Sequence, residues 1–375
     1  MLSVTSACFD DDIQDRHLSF GPGEVVQADT LDEVRPALAR IEHAVADGAW
    51  AHGFLAYEAA PAFDPALAVQ PPRPGLPLLR FELTSGPHSG PTVSTGDVTV
   101  GPWTPEIDET EHARLIGLVH DAIERGDTYQ VNLTARMRAR VDGDPRALYE
   151  QLRARQSGAF SAYLDTGRWV IASASPECFF TWDDDVVAAR PMKGTARRRP
   201  DDPLADLAAR DALRASDKER AENLMIVDLL RNDLQRVAEP GGLDVPELLT
   251  VEKYPTVWTM TSTIIGRTPA TATLTDVFTA LFPCGSVTGA PKASTMSLIR
   301  ELESSPRGIY CGAIGYIAPS ADGPCASFSV PIRTVEIDRE RGEATYGVGG
   351  GVTWQSRADA EWDELLAKTR ILEEL

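Results

Sequence analysis

Apolar and polar positions alternate along this chain with two periods, and the change of period marks its elements. In the first hundred residues Leu31 to Asp47 has helical spacing, and Gly53-Phe54-Leu55-Ala56-Tyr57-Glu58-Ala59 reads as a buried strand. Between Asp108 and Arg125 the apolar positions Leu115, Ile116, Val119, Ala122 and Ile123 predict a second helix, closed by Gly126. Tyr129 to Val141 then alternates strictly. Val131, Leu133, Ala135, Met137 and Ala139 fall on one face and Gln130, Asn132, Thr134, Arg136 and Arg138 on the other, which predicts a half-buried antiparallel strand. Strands are also predicted at Phe160 to Asp165, Arg168 to Ala174, Cys178 to Trp182 and Val186 to Arg190, joined by short turns as a meander that ends in a loop carrying Lys193.

The second half continues with a helix from Asp217 to Val237, a strand from Val257 to Gly266 and a helix from Leu274 to Phe282. Pro291 suits the first position of a helix reaching about Leu302. Ile309 to Ala318 and Ala326 to Asp338 read as paired strands, with Pro331 marking an edge or bulge. Ala344 to Val348 runs into Gly349-Gly350-Gly351, either a flexible turn or a place where backbone approaches a ligand. Ala358 to Leu372 closes the chain as a helix.

Composition narrows the possible partners. A formal charge of −20 over 375 residues argues against nucleic acid or an anionic membrane, and an anionic substrate would need local cations or a metal. Five cysteines without metal-ligand spacing fit a reducing cytosol, and no apolar run is long enough to span a bilayer, so a cytoplasmic location is expected.

Candidate chemistry gathers at a few places. Five of the 36 basic residues are lysine, yet Lys193 stands in the arginine-rich run Pro191-Met192-Lys193-Gly194-Thr195-Ala196-Arg197-Arg198-Arg199. A lysine amine can become a neutral base or nucleophile where arginine cannot. An ordinary strand-end lysine fits the same spot. Glu177 lies at another strand end, in Ser175-Pro176-Glu177. Glu219 and Glu222 are three apart on one helix, and Glu361, Glu364 and Lys368 repeat the spacing on the last. Solvated helix faces account for both pairs; alternatively the pairs face one another around a hard divalent cation such as Mg²⁺. The small-residue loop Pro283 to Lys292, including Gly285 and Ser286, precedes a helix and suits an anion, although it lacks Walker spacing.

In order and spacing these motifs together resemble the chorismate-binding enzymes, a family that includes anthranilate, aminodeoxychorismate, isochorismate and salicylate synthases. The resemblance is carried by Gly126 to Leu133, Ser175 to Glu177, Pro191 to Thr195, Glu222 to Asp233, Gly285 to Lys292, Gly308 to Tyr316, Pro331 to Thr334 and Gly347 to Gly351. It implies an α+β fold of two antiparallel sheets stacked face to face with helices outside. Residues 101–375 would form the catalytic core, continuous with an N-terminal portion, 1–100, that adds strands and a possible regulatory region. It also implies that Glu222 and Glu364 hold Mg²⁺ with Glu219 and Glu361 behind them, and that Tyr310 and Arg333 grip the enolpyruvyl carboxylate. Gly349 to Gly351 with Gly285 and Ser286 would surround the ring carboxylate and metal, with Thr195, Gln130 and Lys368 also on the substrate. Glu177 would protonate the departing 4-hydroxyl.

Family members that add water carry a lysine where this chain has Gln130, so ammonia is the expected nucleophile. Lys193 stands where aminodeoxychorismate synthases carry a lysine and anthranilate synthases a small residue. The resemblance therefore implies amination of chorismate to 4-amino-4-deoxychorismate, for 4-aminobenzoate and folate, with ammonia supplied from glutamine by a partner amidotransferase. Anthranilate formation is the nearest alternative, and a non-catalytic chorismate-binding subunit a more distant one. Many relatives place a His where this chain has Thr259.

Overall fold

The computed structural model describes residues 6–11, 16–88, 96–156, 160–254, 257–321, 323 and 325–372. Its core is two mixed-order antiparallel sheets. The first runs Gly289–Ala290, Gln130–Gly143, Glu343–Val352, Thr334–Asp338, Trp169–Ser175, Phe160–Asp165, Ala7–Asp11 and Arg16–Phe20. The second runs Met192–Arg197, Val257–Arg267, Val186–Arg190, Cys178–Asp183, Cys325–Ser329, Ala313–Ala318, Trp50–Leu55, Leu79–Thr84 and Glu24–Ala28, and Leu243–Lys253 also pairs with Val257–Arg267. The first hundred residues thus add strands to both sheets.

Helices cover the outer faces. Leu31–Ala46, Asp217–Leu234 and Leu274–Leu281 bury their apolar stripes on the second sheet, in a cluster that includes Leu38, Leu230, Phe278 and Phe180. On the first sheet, Pro145–Gln156 and Ala358–Thr369 pack Leu148, Leu152 and Leu365 against Met137, Val170 and Tyr346. Glu109–Glu124 and Lys292–Leu302 close the end of the first sheet over Val131, Leu133 and Val352. Between the sheets lies a further apolar cluster, with Phe9, Phe20, Phe54, Ile171 and Ile314.

Several expectations change for physical reasons. The buried strand near residue 53 ends at Leu55, and Tyr57–Ala62 is a 3-10 turn. The expected meander divides, because the chain leaves the first sheet at Ser175 and enters the second at Cys178. Ala326 to Asp338 divides likewise at residues 330–333, where Pro331 removes a ladder donor. Lys193 belongs to a strand, Met192–Arg197, rather than a loop. The three glycines are also strand, paired with Asn132, Leu133 and Thr134. Pro291 is the residue before its helix rather than the first within it, and the last α-helix ends at Thr369 before a 3-10 turn.

The polar face of Gln130–Gly143 carries the largest correction, for from Gln130 to Met137 both faces are buried. The apolar face meets helices, and the polar face turns toward the second sheet, where buried charges satisfy it. Glu303 accepts from the Thr134 amide (3.0 Å) and hydroxyl (2.7 Å), from Arg136 Nη2 (3.3 Å) and from Arg307 Nη2 (2.7 Å). Arg307 in turn donates to the Asn132 and Val287 carbonyls, at 2.7 Å each. Burial alone would raise the Glu303 carboxyl, but Arg307, Arg136 and Thr134 outweigh it and hold it below the usual carboxylate range.

Candidate active site

Two of the places where the chain passes between sheets, Ser175 to Cys178 and residues 330–333, carry chemistry. Glu177 follows Pro176 at the first crossing and is 6% exposed. Its Oε1 accepts a 2.5 Å hydrogen bond from the Ser286 hydroxyl. Burial raises the Glu177 carboxyl above its usual value, with Ser286 and Lys193 opposing the shift. Arg333 ends the second crossing with φ +51°. Burial lowers its guanidinium from the ordinary value, and no carboxylate among the described residues pairs with it.

Glu177, Ser286, Tyr310, Arg333, Tyr346 and Lys193 meet around an inner cavity of about 230 Å³. Tyr310 is held from behind. Its amide donates to Glu336 Oε1 (3.0 Å), and the Arg136 guanidinium lies 5.2 Å from its ring centre. Gly347 is glycine for this ring, since a Cβ there would come within 2.3 Å of it.

An outer cavity of about 910 Å³ adjoins the inner one, and Lys193, Gly194, Thr195, Arg333, Gly351, Glu364 and Lys368 line both. The strand Met192–Arg197 reaches Lys193 at an irregularity in its pairing with Val257–Arg267. Gly194 has φ +91°, and a Cβ there would lie 2.9 Å from Glu219 Oε2. Thr259, where the resemblance implies that many relatives carry a His, donates to the Gly194 carbonyl at 3.2 Å and so braces the lysine strand. Across the cavity, a Cβ on Gly351 would stand 2.5 Å from Gln130 Nε2 and 3.4 Å from Lys193 Nζ.

Glu219, Glu222, Glu361 and Glu364 all line the outer cavity, from two helices. Burial raises Glu219, and Glu222 and Glu364 add to the shift; burial likewise raises Glu361, with Glu364 adding. Glu364 behaves differently. Lys368 outweighs its burial and holds it below the ordinary value, at an Nζ to Oε1 distance of 2.8 Å. The same Nζ donates to the Gly349 carbonyl (2.7 Å). No group of three or more His, Cys, Asp or Glu side chains among the described residues forms a ready cage. Mutually repelling carboxylates without a cage fit Mg²⁺, which takes one or two carboxylates and completes its shell with ligand oxygens and water.

Two expected residues stand outside both cavity walls. Gly285 packs under Leu229, whose Cδ2 a Cβ would meet at 2.5 Å, and Gln130 sits behind Gly351. Sequence reasoning passed over Asn132 and Val287 of the inner wall and Arg155, Arg197, Lys218 and Arg370 of the outer. Asn132 was visible only as one of the alternating polar residues, and the outer cations come from segments that no local pattern links.

Comparison with known proteins agrees with this architecture. The family model described as chorismate binding enzyme matches residues 6–374. Aminodeoxychorismate synthase component 1 of Salmonella typhimurium is 39% identical over 274 residues, which is 73% of this chain and 59% of that protein. Anthranilate synthase component 1 of Streptomyces coelicolor is 37% identical over 272 residues, 72% of this chain and 52% of that one. The chain spans about three fifths of the length of the first of these relatives. The crystal structure of anthranilate synthase component I from Streptococcus pneumoniae superposes with a TM-score of 0.77 at 24% identity, covering 99% of this chain and 90% of that one. The sheet order, the crossings that carry Glu177 and Arg333, and a match over nearly the whole sequence lead to one assignment: the chain belongs to the chorismate binding enzyme family.

Proposed function

We propose that the chain catalyses the Mg²⁺-dependent amination of chorismate to 4-amino-4-deoxychorismate, with ammonia delivered from glutamine by a partner amidotransferase. The observation that carries this reading is Lys193 on the wall shared by both cavities, with Gln130 in place of a water-activating lysine. The name of the Salmonella relative supports it.

In this reading Arg333 and Tyr310 hold the enolpyruvyl carboxylate, with a half-buried cation that has no carboxylate partner among the described residues set against an anion. The amides of Gly349 to Gly351 approach the ring carboxylate, while Thr195 and Lys368 shape the mouth. Glu222 and Glu364 would hold the metal, supported by Glu219 and Glu361, and a bound cation there supplies positive charge to that carboxylate. The Lys193 amine forms a bond to ring carbon 2 as both ring double bonds shift by one position and the carbon 4 to oxygen bond breaks. Glu177 gives its proton to the departing oxygen, which leaves as water. Ammonia then bonds to carbon 4, both double bonds shift back and the lysine amine is expelled, while the surplus ammonia proton returns to Glu177.

Mass-resolved chromatography of the products from chorismate, Mg²⁺ and ammonium tests the proposal. An aminated product that keeps its enolpyruvyl group is expected. A fluorescent aminobenzoate released with pyruvate would establish the anthranilate reaction instead, a reading that the 37% identity to the Streptomyces anthranilate synthase keeps in play.

A further inference from the structure

The Ser286 hydroxyl is committed to another protein group rather than to the cavity. It stands 2.5 Å from Glu177 Oε1, and behind it the Cys284 sulfur lies 3.2 Å from the same Oγ. Cys284 is fully enclosed, and burial pushes its thiol up to about 12, so it keeps its proton and can donate to Ser286 Oγ. The hydroxyl hydrogen is thereby turned onto Glu177. A row Cys284, Ser286, Glu177 results, each group donating to the next.

We propose that Ser286 is a positioning residue for Glu177: by occupying Oε1 it leaves Oε2 as the oxygen that carries the transferable proton. This inference rests on the reading of Glu177 as the acid for the departing hydroxyl. An unanchored carboxyl would rotate and share its proton between two oxygens, only one of them suitably directed. The ionisable groups that line the inner cavity with Glu177 are Lys193, Arg333, Tyr310, Tyr346, Glu364 and Lys368, and Cys284 lies behind Ser286. Ser286 carries no charge, so removing it leaves the charge around Glu177 unchanged.

The test compares Ser286→Ala, Ser286→Thr and Glu177→Gln in the full chain, following chorismate consumption from pH 6 to 10. With alanine, kcat should fall about tenfold at neutral pH while KM stays within about twofold. The alkaline limb of kcat should move to higher pH, because the ionised carboxylate has lost a donor that stabilised it. Threonine, which keeps the hydroxyl, should restore both kcat and the limb. Thermal unfolding of each variant checks that the fold survives. An alanine variant whose limb stays in place, or whose loss lies in KM, would overturn the assignment, the latter by showing that Ser286 binds substrate directly. If Glu177→Gln keeps both activity and limb, the acid reading itself fails and takes this inference with it. An inactive Glu177→Gln with an unmoved alanine limb would overturn the role of Ser286 alone.

Discussion

Lys193 is surrounded by polar groups that a longer cation would disturb. Its amine lies close to Gly351, and the charges of Glu177, Glu219 and Glu364 all feel it. Lys193→Ala should lower amination at least about a hundredfold while chorismate affinity changes only a few-fold, since the amine acts after binding. Lys193→Arg should be equally inactive, because guanidinium keeps the charge but cannot serve as a neutral nucleophile. Equilibrium binding beside steady-state rates decides the matter, and an unchanged rate for either variant would remove the covalent role. This residue was legible in the sequence because it broke a compositional habit. Thr259 was legible only as a missing His, since its bond to the Gly194 carbonyl needs the register between two strands.

At the scale of elements, the strand Gln130–Gly143 shows where pattern reading stops. Strict alternation gave its position and its apolar face correctly. The buried environment of its polar face depended on Glu303, 169 residues beyond Thr134, and Arg307, 175 beyond Asn132, whose side chains are 3% and 1% exposed. Glu58, from the first hundred residues, joins the same network by accepting from the Arg307 and Gly308 amides. Replacing Glu303 with leucine would leave the buried Arg136 and Arg307 without their carboxylate. That should cost about 3–5 kcal/mol of stability, measured by urea unfolding. A loss below about 1 kcal/mol would show that the two guanidinium groups are satisfied by the surrounding carbonyls alone.

At the scale of the whole molecule there is a pH liability outside both cavity walls. His52 on Trp50–Leu55 stacks on Phe20 with ring centres 4.5 Å apart, and neither ring nitrogen has a hydrogen-bond partner. Burial lowers its imidazole to about 3 in the folded chain, against 6.5 when unfolded. The unfolded chain therefore binds the extra proton first. Stability from this site is complete above about pH 6.5 and falls as pH drops toward 3, by about 2 kcal/mol at pH 5. In His52→Leu that part of the acid slope should vanish; a slope identical to the parent's between pH 7.5 and 5 would refute it. The overall architecture was legible because the motifs occur in a fixed order. The division of the strands between two sheets was not, because Ser175 to Cys178 and residues 330–333 look locally like ordinary turns.

The pairing of Gln130–Gly143 with Glu343–Val352 has a consequence for how the protein is made. The strand's neighbour at the heart of the first sheet is made long after it. Until then the nascent chain holds a long strand edge open, its arginines exposed beside an unpaired backbone. Glu361, Glu364 and Lys368 follow later still, so no partial chain possesses the complete cavity wall. A chain stopped before Glu343 would thus be a client for chaperones rather than a weak enzyme.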